Sequence, residues 1–265
     1  MPQMFIFGLG YTAKRIAAAL EARGWRVEAT GSAGNIAFDD AAAVAAALDR
    51  SDAVLSSVPP ADGADPVLAR YGDALAAGGR WLGYLSSTGV YGDAGGAWVD
   101  ETSPTGSGRR TARAEADAAW LGRGARVFRL PGIYGPGRSA LDRVRSGKAH
   151  RIDLPQQVFS RVHVDDIVGG VLAALDADGP TGAYNLSDDL PTSQNAVIEE
   201  ACRLLGREPP PLLSLEETDL SPMARGFYAE NRRVANGKAK RVLGWRLLYP
   251  DYVSGLAAIA AQELG

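Results

Sequence analysis

Residues 4–13 read Met4-Phe5-Ile6-Phe7-Gly8-Leu9-Gly10-Tyr11-Thr12-Ala13, and their order already favours one architecture. Residues 4–7 are a short apolar run suited to a strand buried on both faces, and from Tyr11 to Gly24 the apolar residues fall at helical spacing. The turn between them has the form GxGxxA. Gly8 permits a tight turn, Gly10 lets the backbone approach a pyrophosphate, and Ala13 allows the helix to pack closely on the strand. Free N–H groups at that helix's N-terminus favour phosphates, so Gly8, Gly10, Tyr11, Thr12 and Ala13 are predicted to bind a dinucleotide.

The same rhythm continues outward from this unit. Strands are predicted at 25–30, 53–58, 80–87 and 125–130, with helices at 39–49, 66–79 and 110–124 between them. Alternating β and α units call for a parallel sheet covered on both faces, so the fold class is α/β, a doubly wound parallel sheet. Residues 1–150 are expected to form the dinucleotide-binding Rossmann-type domain. After Leu130 the rhythm loosens, and residues 151–265 are expected to form a smaller substrate lobe, partly interleaved with the sheet domain. Within it a helix is expected from Asp166, and 205–235 shows no clean periodicity.

Composition narrows the functional classes. The 265 residues are 46% hydrophobic and 22% charged, enough apolar surface for a sizeable core. The net charge is −3, and no Lys/Arg block suggests a nucleic-acid stripe, so no nucleic-acid partner is expected. Cys202 is the sole cysteine and sits in a helical pattern, which implies a buried apolar role and excludes a disulfide framework. His150 and His163 are too far apart for a zinc site of ordinary spacing, so no metal is expected. No run of eighteen apolar residues occurs and the N-terminal apolar run is too short for a signal segment. A soluble cytoplasmic protein without a membrane partner is the expectation.

The residues that would meet the rest of a dinucleotide follow from the strand ends. After the second strand, Ala29 to Asn35 contains neither a carboxylate nor an arginine; Thr30 and Ser32 can donate to a phosphate or a ribose hydroxyl. NADP is therefore allowed, and NAD is not excluded. Asp39 suits the adenine amino group, or equally a helix N-cap. Ser57, Val58 and Pro59 end the third strand at the carboxyl edge of the sheet, where open α/β sheets bind ligands.

Residues 83–93, GYLSSTGVYGD, resemble the strand and serine loop of the extended short-chain dehydrogenase/reductase family, which includes many sugar-nucleotide epimerases and dehydratases. RLPGIYGPG at 129–137, RVHVDDIVGGVLAAL at 161–175 and GAYNLSDDLPTS at 182–193 fit the same resemblance. It implies that Ser87 hydrogen-bonds the reacting oxygen of a substrate, and that Pro131, Gly132 and Ile133 flank the nicotinamide ribose and carboxamide. It also makes a homodimer a reasonable expectation. Tyr91 and Tyr134 are further candidates for the chemistry because they lie in loops beside the expected cleft. His163, in the HVDD stretch, is read as structural, hydrogen-bonded between sheet and lobe. Arg225, Arg232 and Arg233 are candidates to meet an anionic group on a small-molecule substrate, although each also suits ordinary surface charge.

One stretch departs from the family. Residues 107–115, SGRRTARAE, carry Ser107 where the family has its catalytic tyrosine and Thr111 where it has lysine, counting back from Glu115. An isolated serine is far too weak an acid to replace a tyrosine beside an ammonium. Arg109, Arg110 and Arg113 stay cationic, so they can bind an anion but cannot shuttle protons. The departure resembles the atypical branch of the family. It leaves open an NAD(P)-dependent epimerase, dehydratase or reductase acting on a sugar nucleotide or related carbonyl or alcohol through other groups, an NAD(P)-binding sensor or regulator, or an interaction protein with a vestigial site.

Overall fold

The computed structural model describes residues 1–76, 79–108 and 111–264. Strand β1 (Gln3–Phe7) is buried along its whole length, and its alternation divides the interior into two layers. Met4 and Ile6 pack with Ile16 and Leu20 of helix α1 (Tyr11–Glu21). Phe5 and Phe7 point to the opposite face. The alternation continues through β2 (Arg26–Ala29), α2 (Ala41–Arg50), β3 (Ala53–Ser56), α3 (Pro66–Ala76) and β4 (Trp81–Ser87). A 3-10 turn (Thr88–Tyr91) and the short strand β5 (Trp98–Val99) then lead to α4 (Thr111–Leu121) and β6 (Arg126–Leu130). Phe5 and Phe7 share their layer with Val44 and Leu48 of α2, Val67 and Tyr71 of α3, and Trp120 of α4.

The second part of the chain is less regular: β7 (Gly132–Tyr134), α5 (Ala140–Arg145), β8 (Arg151–Ile152), β9 (Arg161–His163) and α6 (Val164–Asp176) come first. Next are β10 (Gly182–Asn185), α7 (Gln194–Leu205), β11 (Leu212–Leu213), α8 (Pro222–Phe227), β12 (Arg233–Val234), α9 (Gly237–Leu243) and α10 (Tyr252–Leu264). The main sheet has six parallel strands in the order β10-β6-β4-β3-β1-β2. Successive strands run outward in opposite directions on the two sides of β1, and this reversal opens a crevice over the carboxyl ends of β1 and β3.

Residues beyond 150 contribute to both parts of the molecule. β10 extends the main sheet beside β6, and α6 packs on α1. By contrast, α5, α7 and α10 enclose a separate apolar cluster of Leu141, Val144, Val197, Ile198, Cys202 and Leu256. Cys202 is buried there as a small apolar residue. Helix α6 starts at Val164, two residues before the Asp166 expected from the sequence, because the His163 ring caps it by accepting from the Asp165 amide at 3.2 Å. Residues 205–235 contain β11 and β12, which pair with the remote β8 and β5. No helix among the described residues is long and apolar enough to cross a membrane.

The two edges of the main sheet are closed by the chain itself. At β10 the Asn185 amide donates to Glu101 Oε1 at 2.7 Å, and Lys238 Nζ donates to Ala183 O at 2.8 Å. At β2 the Ala29 amide donates to Asn35 Oδ1 and the Ala29 carbonyl accepts from the Ile36 amide.

A buried ion pair ties the layers together under the crevice. Arg129 of β6 donates from Nη2 to Asp117 Oδ1 at 2.8 Å and from Nε to Asp117 Oδ2 at 3.1 Å. The Arg129 and Asp117 side chains are only 4% and 2% exposed. Removing one partner of such a pair leaves an uncompensated buried charge. Asp117→Ala is therefore expected to cost about 3–5 kcal/mol in denaturant-induced unfolding; a loss below about 1 kcal/mol, the size of an ordinary substitution, would contradict this account.

Candidate functional site

The glycine turn after β1 is built by its neighbours. Gly8 has φ +83°, in the region that favours glycine, and a Cβ on it would meet Val58 Cγ2 at 2.9 Å. Its amide donates to Thr30 Oγ1 at 3.1 Å, and the Leu9 amide donates to Thr30 O at 2.8 Å. Thr30 is buried and braces the turn from below, so its hydroxyl oxygen serves the fold. Ser32 is exposed at the end of β2. Gly10 is extended, at φ −86° and ψ −167°, and caps α1 without any side-chain hydrogen bond. A Cβ on Gly10 would have nothing within 4 Å.

A cavity of about 970 Å³ begins at this turn, with Tyr11, Thr12 and Ser57 on its wall, and runs past Ser87 to Pro131, Gly132 and Ile133. Ala13 is buried against the sheet, as the third position of the motif requires. Val58 packs on Gly8, whereas Pro59 is exposed beyond the lining. Asp39 is an exposed residue paired with Arg70 at 3.4 Å; the cap of α2 is its neighbour Asp40, which accepts from the Ala43 amide at 3.0 Å.

Ser87 ends β4 on the cavity wall, and its Oγ accepts from the Gly89 amide at 3.1 Å, closing the 3-10 turn. That leaves its O–H free to point elsewhere. Tyr91, in the same turn, is placed differently. It is buried outside the cavity lining; its hydroxyl donates to Asn185 Oδ1 at 2.8 Å and accepts from Arg129 Nη1 at 3.0 Å. Burial raises its pKa. Tyr134 borders the cavity, but its hydroxyl donates to Asp251 O at 3.3 Å and burial pushes its pKa far upward.

At the place of the family tyrosine, Ser107 Oγ donates to the Tyr91 carbonyl at 3.1 Å. Thr111 is exposed at the start of α4. Arg109 and Arg110 lie outside the described residues. Arg113 reaches the cavity and donates to Tyr84 OH at 2.8 Å. Of the arginines suggested after residue 220, Arg232 lines the cavity and pairs with Glu230 at 2.9 Å. Arg225 donates to Thr218 O and Arg233 to Gly96 O, and neither reaches the lining. The His163 ring lies between Tyr134 and Tyr249, with centroids 5.2 and 4.2 Å away.

The outer half of the cavity holds groups that the sequence did not single out. Arg143, His150, Arg161 and Tyr228 all line it. Tyr228 OH lies 3.4 Å from His150 Nε2, and the Tyr228 ring packs edge-on against Phe159. Burial and then the Arg143 charge lower the His150 pKa, while a hydrogen bond with the Lys148 backbone opposes them. Burial also lowers that of Arg161, to about 10. No spacing pattern marks these residues, because α5, the residue before β8, the start of β9 and the residue after α8 bring them together. Among the described residues no cluster of His, Cys, Asp and Glu is arranged to hold a metal.

No family model matches the chain. A functionally unknown conserved protein from Silicibacter pomeroyi DSS is 41% identical, with 99% of each chain covered and a TM-score of 0.88. The chain belongs to that protein's family. The human epimerase family protein SDR39U1 (isoform 2), solved with NADPH, is 18% identical over 98% of this chain and 99% of its own, with a TM-score of 0.78. The two chains share a Rossmann-type α/β fold. A 3-diazoavenalumate denitrifying reductase from Streptomyces sp is 33% identical over 49% of this chain and 45% of its own length.

The electrostatics of the outer cavity can be tested directly. Arg143 disfavours the imidazolium form of His150, so Arg143→Ala is expected to raise the His150 pKa toward its ordinary value. An NMR titration of the ring protons in the two proteins reads this; an unchanged or lowered midpoint would show that Arg143 does not act on the ring.

Proposed function

We propose that this protein binds a nicotinamide dinucleotide, NADP or NAD, in the crevice over β1 and β3, and uses it in oxidoreduction or epimerase/dehydratase-type chemistry on a small anionic carbonyl or alcohol compound. The observation that carries the reading is the open space at Gly10. Its Cβ direction is empty at the N-terminus of α1, and the cavity running from this turn continues to Ser87 and to Pro131–Ile133. The residues fit the cofactor: the α1 amides would hold the pyrophosphate, and Pro131, Gly132 and Ile133 would border the nicotinamide end. When bound, that group supplies or accepts a hydride. The chain's own part would be to orient the reacting carbon and to handle the proton, and Ser87, on the cavity wall, would hydrogen-bond the reacting oxygen.

The cavity's charge supports an anionic substrate. Arg113, Arg138, Arg143, Arg161 and Arg232 line it, against Asp142 and Glu230. Both carboxylates are already engaged: Asp142 accepts from the Ser139 amide and hydroxyl, and Glu230 from Arg232. Arg138 stacks over Tyr11, with its guanidinium carbon 5.7 Å from the ring centroid, so one cation stands beside the turn at which the cofactor's phosphates would lie. The name of the Streptomyces relative and the NADPH of the human one agree with a reductase. The missing Tyr-Lys pair favours the competing reading, a dinucleotide sensor, and nicotinamide turnover in a carbonyl screen separates the two.

Gly10→Val is expected to abolish dinucleotide binding without unfolding the protein. The added side chain would fill the phosphate approach, and the extended backbone accepts valine without strain. Calorimetric titration with NADPH and NADH measures it, and unchanged affinity in a folded variant would refute the assignment. The parent should discriminate between the two cofactors by less than about a hundredfold, since about 2.7 kcal/mol needs a charged hydrogen bond and Ala29 to Asn35 supplies none. A much larger measured ratio would mean that a basic group from another segment enters the site.

A further inference from the structure

Residues 107–111 lack a Tyr-Lys pair, and elsewhere on the cavity wall a tyrosine and a histidine meet. We propose that Tyr228 and His150 are the proton-transfer pair of this site, with Tyr228 exchanging a proton with the reacting oxygen and His150 relaying it to solvent. The inference rests on the nicotinamide reading above.

Position is the first argument. The Gly132 amide donates to Ser160 O at 3.2 Å, so the segment ending in Phe159 and Ser160 lies against the wall assigned to the nicotinamide. Phe159 carries Tyr228 on its ring, with centroids 5.4 Å apart and planes at 89°. Tyr228 and Ser87 line the same cavity. Neither Tyr91 nor Tyr134 can play this part as placed, because the hydroxyl of each is engaged by Asn185 and Arg129 or by Asp251.

Hydrogen-bond chemistry is the second. With the ring hydrogen on Nδ1, the tautomer this proposal requires, the Nε2 lone pair faces the Tyr228 hydroxyl, 3.4 Å away. Burial raises the phenol's pKa, and Arg143 and Arg161 act against it. Arg143 also opposes the imidazolium. The resting pair is thus a neutral phenol beside a neutral imidazole that can accept its proton. The separation is long for a hydrogen bond, as is common for proton-transfer groups before the substrate arrives.

The step balances. In alcohol oxidation the substrate C–H bond breaks and its electron pair leaves with the hydride to an oxidised nicotinamide. The alcohol proton passes to the Tyr228 oxygen, the phenol's own proton passes to His150 Nε2, and the imidazolium releases it to water. Reduction of the carbonyl is the reverse, with water returning the proton through His150 and Tyr228 and the hydride coming from a reduced nicotinamide.

The protein has two histidines, His150 and His163, so ¹⁵N-histidine labelling with a His150→Gln control assigns both rings. Above the His150 midpoint, Nδ1 should be the protonated nitrogen and Nε2 the bare one. Tyr228→Phe should move the His150 Nε2 resonance toward that of a free lone pair and leave His163 unchanged. A proton resting on Nε2, or no response to Tyr228→Phe, overturns the pair. Any carbonyl substrate found by nicotinamide turnover adds a second arm: Tyr228→Phe should lower kcat about a hundredfold or more, with dinucleotide affinity within twofold. A kcat within a few fold of the parent also overturns it. Calorimetry on the parent keeps the two readings apart, since absent dinucleotide binding defeats the nicotinamide reading, while retained binding with the wrong ring tautomer defeats this one alone.

Discussion

The Arg129–Asp117 pair is the contact on which the carboxyl edge of the sheet depends. Asp117 also accepts from Ser86 Oγ at 2.6 Å, and Arg129 reaches Tyr91, which reaches Asn185. Asn185 in turn donates to Ala235 O. One guanidinium thereby connects α4, β4, β6, the serine turn, β10 and the segment after β12. Ser87 is one residue from this network, and its position on the cavity wall follows from it. A charge buried so deeply tolerates little rearrangement, because every partner that moves away leaves desolvation uncompensated.

Much of the sheet domain was legible because its signals are local. β1, the Gly8–Ala13 turn and α1 are contiguous, and the alternation of Met4 and Ile6 against Phe5 and Phe7 needs no knowledge of partners. The lobe was legible only in part. β11 and β12 are two-residue strands whose partners, β8 and β5, lie far away in sequence, so no periodicity could reveal them. The cavity wall formed by Arg143, His150 and Tyr228 has the same origin. Thr30 shows a subtler limit: a hydroxyl at a strand end has the right chemistry for a ligand, but here it braces the backbone of the neighbouring turn. Likewise Asp39 and Asp40 both suit a helix cap, and only geometry separates the one that caps from the one paired with Arg70.

The altered 107–115 segment has a place in this arrangement. Ser107 is held against the Tyr91 carbonyl, and Arg113 is the nearby residue that reaches the cavity. This side of the cleft therefore offers a fixed positive charge to a ligand, and Arg143, Arg161 and Arg232 add to it from the lobe side, where His150 and Tyr228 also line the cavity.

The closed sheet edges bear on how copies of this chain can meet. An open edge strand is a template onto which another chain can add, residue by residue. Here Glu101 and Lys238 occupy the Asn185 amide and the Ala183 carbonyl of β10, the Asn35–Ile36 turn occupies the outward groups of Ala29, and Arg26 places an exposed charge at the start of β2. A foreign strand would have to displace these contacts before gaining any of its own. Edge-to-edge polymerisation is thereby disfavoured from both sides, and association between folded copies is left to helical and loop surfaces.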